Sequence, residues 1–139
     1  MKNKTNRFQS AVAACLFAIL TTSGLEAADL SENDKKFLTG YEQIRAALAA
    51  DNLADAKKVA VVLGEEGASL AKSDSITGAR KEFTTLSERA IKLAAGQEGY
   101  NVVNCPMLKK DWVQTSDKIA NPYAGSSMLT CGVIRKKAN

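Results

Sequence analysis

Histidine is missing from all 139 residues. Without an imidazole there is no Ser-His-Asp or Cys-His nucleophile, no zinc-hydrolase triad and no ordinary side chain that changes charge near neutral pH. A c-type haem is excluded as well, since its Cys-x-x-Cys-His attachment motif does not occur. Proline is scarce: there are two, and none precedes Pro106, so most of the chain is free of the strongest helix breaker. Aromatics make up 6% of residues and tryptophan is single. The apolar run Ala11–Leu20 has ten residues, about half of the roughly 20 that span a bilayer, so no stable membrane span is expected. Carboxylates are scattered along what read as solvated helix faces and no activated nucleophile is visible. No catalytic residue is therefore assigned, and the chain is not expected to be an enzyme.

What is there is an ordinary globular composition, 45% apolar and 24% charged. Lys2, Lys4 and Arg7 precede the apolar run, polar Thr21-Thr22-Ser23 follow it, and Leu25-Glu26-Ala27 closes the segment. That order reads as a secretory signal peptide over residues 1–27, cleaved after Ala27, which makes the protein periplasmic. A rival reading takes Val12-Ala13-Ala14-Cys15 as a lipoprotein box, although the apolar run continues past Cys15. Removing residues 1–27 leaves 16 basic against 14 acidic residues. Nothing in that balance suggests nucleic acid, and Arg135-Lys136-Lys137 reads as a solvated basic end.

Residues 28–139 read as a single domain. The front is rich in Ala, Leu, Lys and Glu. From Glu32 to Ala50, Phe37, Tyr41, Ile44 and Leu48 share one helical face. Ser31 precedes them as a cap, Asp34 charges the first turn, and Asp51-Asn52 ends this helix and caps the next. A second segment, Leu53 to Ala71, carries Ala56, Val59, Ala60, Leu63 and Leu70, with Gly64 and Gly67 as points where it bends or ends. The third stripe is Ile76, Ala79, Phe83, Leu86, Ala90 and Leu93, capped from Ser73, Asp74 or Ser75 and closed by Gly96. The expected fold is mainly α: an antiparallel three-helix bundle followed by a small β or irregular C-terminal lobe over residues 97–135. Phe37, Tyr41 and Phe83 are expected in its core, the alternative being a ligand pocket.

That lobe carries strand candidates at 100–105, 112–114 and 128–135, with a turn at Asn121-Pro122-Tyr123-Ala124-Gly125. It also holds Cys105 beside Met107, and Met128 beside Cys131. Two readings compete. Two cysteines in an oxidising compartment form a disulfide, which over this separation stabilises by about 3–4 kcal/mol in the chain-entropy model. Thiolates and thioethers alternatively form a soft-metal site for Cu(I) or Ag(I), with Cys105, Met107, Met128 and Cys131 as ligands. An oxidised pair cannot supply thiolates. Trp112 shields such a site, or anchors the core of the lobe.

Cys105-Pro106-Met107, Trp112-Val113-Gln114, Ile119-Ala120-Asn121-Pro122-Tyr123-Ala124-Gly125 and Met128-Leu129-Thr130-Cys131-Gly132 occur in that order. Together they resemble a bacterial exported domain family of uncharacterised activity, found alone or fused to periplasmic adaptor subunits of copper and silver efflux systems. Ala79-Arg80, Phe83 and Leu86-Ser87, and further upstream Tyr41, Ala47-Leu48-Ala49 and Asp51, resemble its helical part more loosely. The likeness covers about residues 38–134. It implies a helical bundle with a Cys/Met-bearing segment, a periplasmic setting and a link to copper or silver handling. Where related sequences carry a further Cys or His near the first motif, Asn104 and Leu108 stand here.

The reading that follows is a periplasmic accessory protein that binds Cu(I) or Ag(I) and serves an efflux adaptor or another envelope protein. The alternative is a disulfide-stapled interaction module without metal. Exported protein is expected to begin at Ala28, which intact-mass measurement of periplasmic material checks; a lipid on Cys15 would refute it.

Overall fold

The computed structural model describes residues 29–136. The cleavage point after Ala27 and the Cys15 box lie outside them. Four helices come first: α1 Glu32–Ala49, α2 Leu53–Val62, the short α3 Ala68–Ala71 and α4 Ile76–Leu93. Three strands follow, β1 Asn101–Cys105, β2 Lys110–Gln114 and β3 Val133–Lys136. Among the described residues, no helix is long and apolar enough to cross a membrane.

Local chemistry sets the helix starts. Ser31 accepts the Asp34 N–H at 3.2 Å and donates to its carboxylate at 2.6 Å. Asn52 caps α2 through the Asp55 N–H at 3.0 Å, and Ser75 caps α4 through Gly78 at 3.1 Å. These side chains satisfy N–H groups that a helix start leaves without partners. The second helix is shorter than the apolar stripe predicts. It stops at Val62, Gly64 adopts φ +64°, and a 3₁₀ turn over Gly64–Gly67 leads into α3. A Cβ on Gly67 would run into the carbonyl of Ala60, so glycine is what lets the chain fold back against α2.

The main core joins Phe37, Tyr41, Ile44 and Leu48 of α1 to Ala56 and Ala60 of α2, Leu70 of α3, and Ala79, Phe83, Leu86 and Ala90 of α4. The Tyr41 and Phe83 rings stack at 5.0 Å, and Phe37 lies 6.2 Å from Tyr41. These aromatics are therefore packing residues. The buried Tyr41 hydroxyl meets Ser87 Oγ at 2.9 Å and accepts the Val113 N–H of β2 at 3.1 Å. Burial pushes its pKa far up, so it stays a neutral bridge between α1, α4 and the sheet.

The sheet is antiparallel with β1 central, in the order β2-β1-β3. Alternation along the strands gives it two apolar faces. Val102 and its partner Val113 join the helical core, whereas Val103, Cys105 and Trp112 form a second cluster. Chain between β2 and β3, residues 115–132, runs over that second face as a strap, with Ile119, Tyr123 and Cys131 packed onto it. The expected strand from Met128 is corrected here. Gly125–Met128 is a 3₁₀ turn, Cys131 N–H closes onto the Met128 carbonyl at 3.0 Å, and β3 begins only at Val133. Those backbone groups are used within the turn and are not available to a ladder.

Phe83→Ala is expected to lower unfolding stability by about 3–5 kcal/mol in urea titration, because the ring is fully buried. A loss under about 1 kcal/mol would mean that the stripe does not carry the core.

Candidate functional site

Cys105 ends β1 and Cys131 lies just ahead of β3. The pairing of Asn104 with Val133 draws the two together. They are joined as a disulfide, with their Cα atoms 5.6 Å apart, inside the range that such a bond requires. Cys105 is fully buried and Cys131 half-buried. Met128 sits one turn before Cys131, half-buried, its carbonyl bonded to the Cys131 N–H. Met107 is in the hairpin between β1 and β2 and is 76% exposed. So the fold brings the two cysteines together and holds Met128 near Cys131 in the chain, while Met107 faces solvent. Among the described residues no group of three or more Cys, Asp or Glu side chains gathers around a metal-sized point.

The surroundings of the pair are apolar. Val103 and Trp112 lie beneath it, and Leu108, Ile119, Tyr123 and Ile134 flank it. Trp112 is fully buried, its edge against the Tyr123 ring at 6.4 Å. Its indole N–H is already engaged, donating to Gln114 Oε1 at 3.0 Å. A Cβ on Gly132 would lie 2.8 Å from Val103 and 2.9 Å from the Trp112 ring, so glycine permits the close passage of the strap over the indole.

Polar side chains hold the strap down. Gln114, fully buried, donates to the carbonyls of Ser116 and Lys118 and accepts the Ala120 N–H. Asn121, also fully buried, donates to the Cys131 carbonyl at 3.2 Å and accepts the Tyr123 N–H at 2.9 Å. From the helices, Arg45 reaches the Ala120 carbonyl at 3.0 Å, braced by both oxygens of Glu42. Arg80 bonds the carbonyls of Pro122 and Leu48, each at 2.9 Å, and pairs with Asp51 at 2.6 Å. Asp51, at φ +58°, turns its other oxygen to the Ser126 N–H at 2.9 Å. Gly125 at φ +54° fits only as glycine, since a Cβ would strike Asp51 and Arg80. Hydrogen bonds from Ser126, then Arg80, hold the Asp51 pKa down at about 2.

In the sequence Asp51 stands at a helix end and Arg80 within a motif, and nothing local marks either as reaching the strap. Arg45 carried the clearest signal: it falls on the Tyr41–Leu48 face, where a charge needs a buried partner. No protein-family model, curated protein or solved structure was found to match the chain.

A carboxyl with a depressed folded-state pKa contributes stability above its unfolded pKa and loses it as pH falls toward the folded value. The Asp51 contribution is accordingly present above about pH 4 and lost between about pH 4 and pH 2. Asp51→Asn is expected to lower stability at neutral pH and to flatten the slope of urea stability across that window. Asp34 and Glu32, also depressed, add to the slope in the same direction. An unchanged slope would show that Asp51 does not pin the strap.

Proposed function

We propose that the chain is an exported, non-catalytic periplasmic accessory protein that binds Cu(I) or Ag(I) in its reduced form, working with a heavy-metal efflux adaptor or another envelope protein. The observation that carries this reading is the convergence of Cys105 and Cys131, Cα atoms 5.6 Å apart, in apolar surroundings with Met128 one turn away. The same backbone placement suits a disulfide or two thiolates on one soft ion. Met128 is the nearer candidate for a third ligand, and Met107 would join from the hairpin. The resemblance to domains of copper and silver efflux adaptors supports the choice of ion. Loading requires a dithiol reductant, which supplies two electrons and two protons to convert the disulfide into two thiols; the ion then displaces the thiol protons. In this reading α1, α2 and α4 form an antiparallel three-helix bundle that serves as scaffold for the sulfur lobe.

A second reading is a disulfide-stapled periplasmic interaction module without metal. The bond itself favours it, because an oxidising compartment preserves such a pair and the strap is held in place by Arg45, Arg80 and Asn121 besides.

Two measurements separate these readings. A thiol count on protein taken from the periplasm gives the native redox state. Titration of the reduced protein with Cu(I) against a competing chelator gives its affinity. One ion is expected to bind, weakened by roughly a hundredfold or more in Cys105→Ser/Cys131→Ser, since thiolates are the better ligands. Equal binding by parent and double variant would overturn the metal reading and leave the stapled module.

A further inference from the structure

Away from the sulfur lobe, α1 and α2 leave a trough of about 850 Å³ between them, open to solvent. α1 presents two faces. Tyr41, Ile44 and Leu48 enter the core, whereas Gly40, Ala46, Ala47 and Ala50 line the trough. Val59, Val62 and Leu63 supply its other wall. Val62, on the lining, is 65% exposed. Lys36 and Lys58 stand at the rim. Among the described residues neither side chain has an ion pair or a hydrogen-bond partner, a state they share with Lys72, Lys81 and Lys92 but which leaves both free at this rim. One acid is on the lining, Asp55, which accepts from the neutral Asn52 amide at 2.7 Å, so lysines outnumber carboxylates there by two to one.

We propose that this trough is the docking seat for an amphipathic helix of a partner protein, with an apolar stripe flanked by Glu or Asp. Charge complementarity selects the acidic flanks, because two unpaired lysines bordering an apolar floor favour carboxylates and disfavour a basic helix. Shape selects a helix. Lys36 to Ala50 spans about 21 Å of helix axis, the length of a segment of about 14 residues. Ala46, Ala47 and Ala50 allow close approach of a third axis, at about 8 Å, whereas Gly40 is covered by Leu63. Backbone groups in both walls are satisfied within their own helices, so there is no free edge to which an extended peptide adds. An acyl chain prefers an enclosed slot to a trough open to solvent. No sulfur lines the trough, so the proposal is independent of the metal reading, and it would give the stapled-module reading its binding surface.

The test uses the exported chain, isotope-labelled, and three probes. Two are synthetic helical peptides of about 16 residues sharing one leucine stripe, flanked by Glu in one and Lys in the other; the third is phosphatidylglycerol vesicles. The Glu peptide is expected to saturate, to shift the amides of Gly40, Ala47 and Val59, and to bind roughly tenfold or more tighter than the Lys peptide. Lys36→Glu/Lys58→Glu should invert that preference, and Val62→Asp should weaken binding roughly tenfold. All three side chains are exposed, so both variants should keep the parent's unfolding midpoint and Cu(I) titration. Failure of the Glu peptide to saturate, equal affinity for both peptides, shifts confined elsewhere, or an unaltered preference after charge reversal would each overturn the proposal. Vesicle binding without peptide binding would overturn it in favour of an anionic amphiphile. Loss of Cu(I) binding with peptide preference intact would count against the metal reading alone.

Discussion

Covering the outer face of a small sheet with chain that is mostly neither helix nor strand imposes one demand: every backbone group taken out of water needs a partner. Residues 115–132 meet part of it through side chains drawn from α1, α4, the turn between α1 and α2, and β2. Arg45 and Arg80 come from α1 and α4, Asp51 from the turn between α1 and α2, and Gln114 from the end of β2. Asn121 completes the set from within the strap. Among the described residues, no buried side-chain polar atom is left without a hydrogen-bond partner. The rest of the lobe depends on this arrangement, since Trp112 is kept dry only while the strap lies over it.

The disulfide acts at the end of that strap. Cys105 belongs to the central strand and Cys131 to the last residues before β3, so the bond joins the most buried strand to the covering segment. Its entropic effect falls on the unfolded chain, whereas the arginine and asparagine contacts act on the folded one. Either would bias the strap toward its place, and the two together account for an ordered lobe with little apolar mass. Arg45, Arg80 and Asn121 reach carbonyls of the strap without using either sulfur atom.

The helical half carries a different chemistry. One face of α1 is aromatic and closes the core through Tyr41 and Phe83. Its other face mixes Gly40 and alanines with Thr39 and Gln43 and opens, with α2, into a trough bordered by Lys36 and Lys58. The disulfide and the trough thus lie on different parts of the molecule, one in the sheet lobe and one between α1 and α2.

Helix positions were legible in the sequence because their causes are local. Ser31, Asn52 and Ser75 cap by reaching a few residues along the chain, and the Phe37–Leu48 and Ala79–Ala90 stripes repeat with the helix period. The division into a helical front and a strand-bearing back was legible for the same reason, as was the fact that Cys105 and Cys131 share one lobe. The early stop of α2 was only half legible: Gly64 and Gly67 marked the place, but the collision that forbids a side chain at Gly67 involves Ala60 in the folded chain. Met128–Gly132 read as strand by propensity, yet the backbone closes into a turn because the strap has to descend onto Trp112. Arg45, Asp51 and Arg80 each meet partners more than 25 residues away, a distance across which no periodicity carries information. Composition, charge and spacing determined which segments are helical and which residues bear sulfur. Only tertiary structure decided which sulfurs meet, which arginines are buried and which face of α1 is left open, because those outcomes depend on contacts that exist only once the chain has folded.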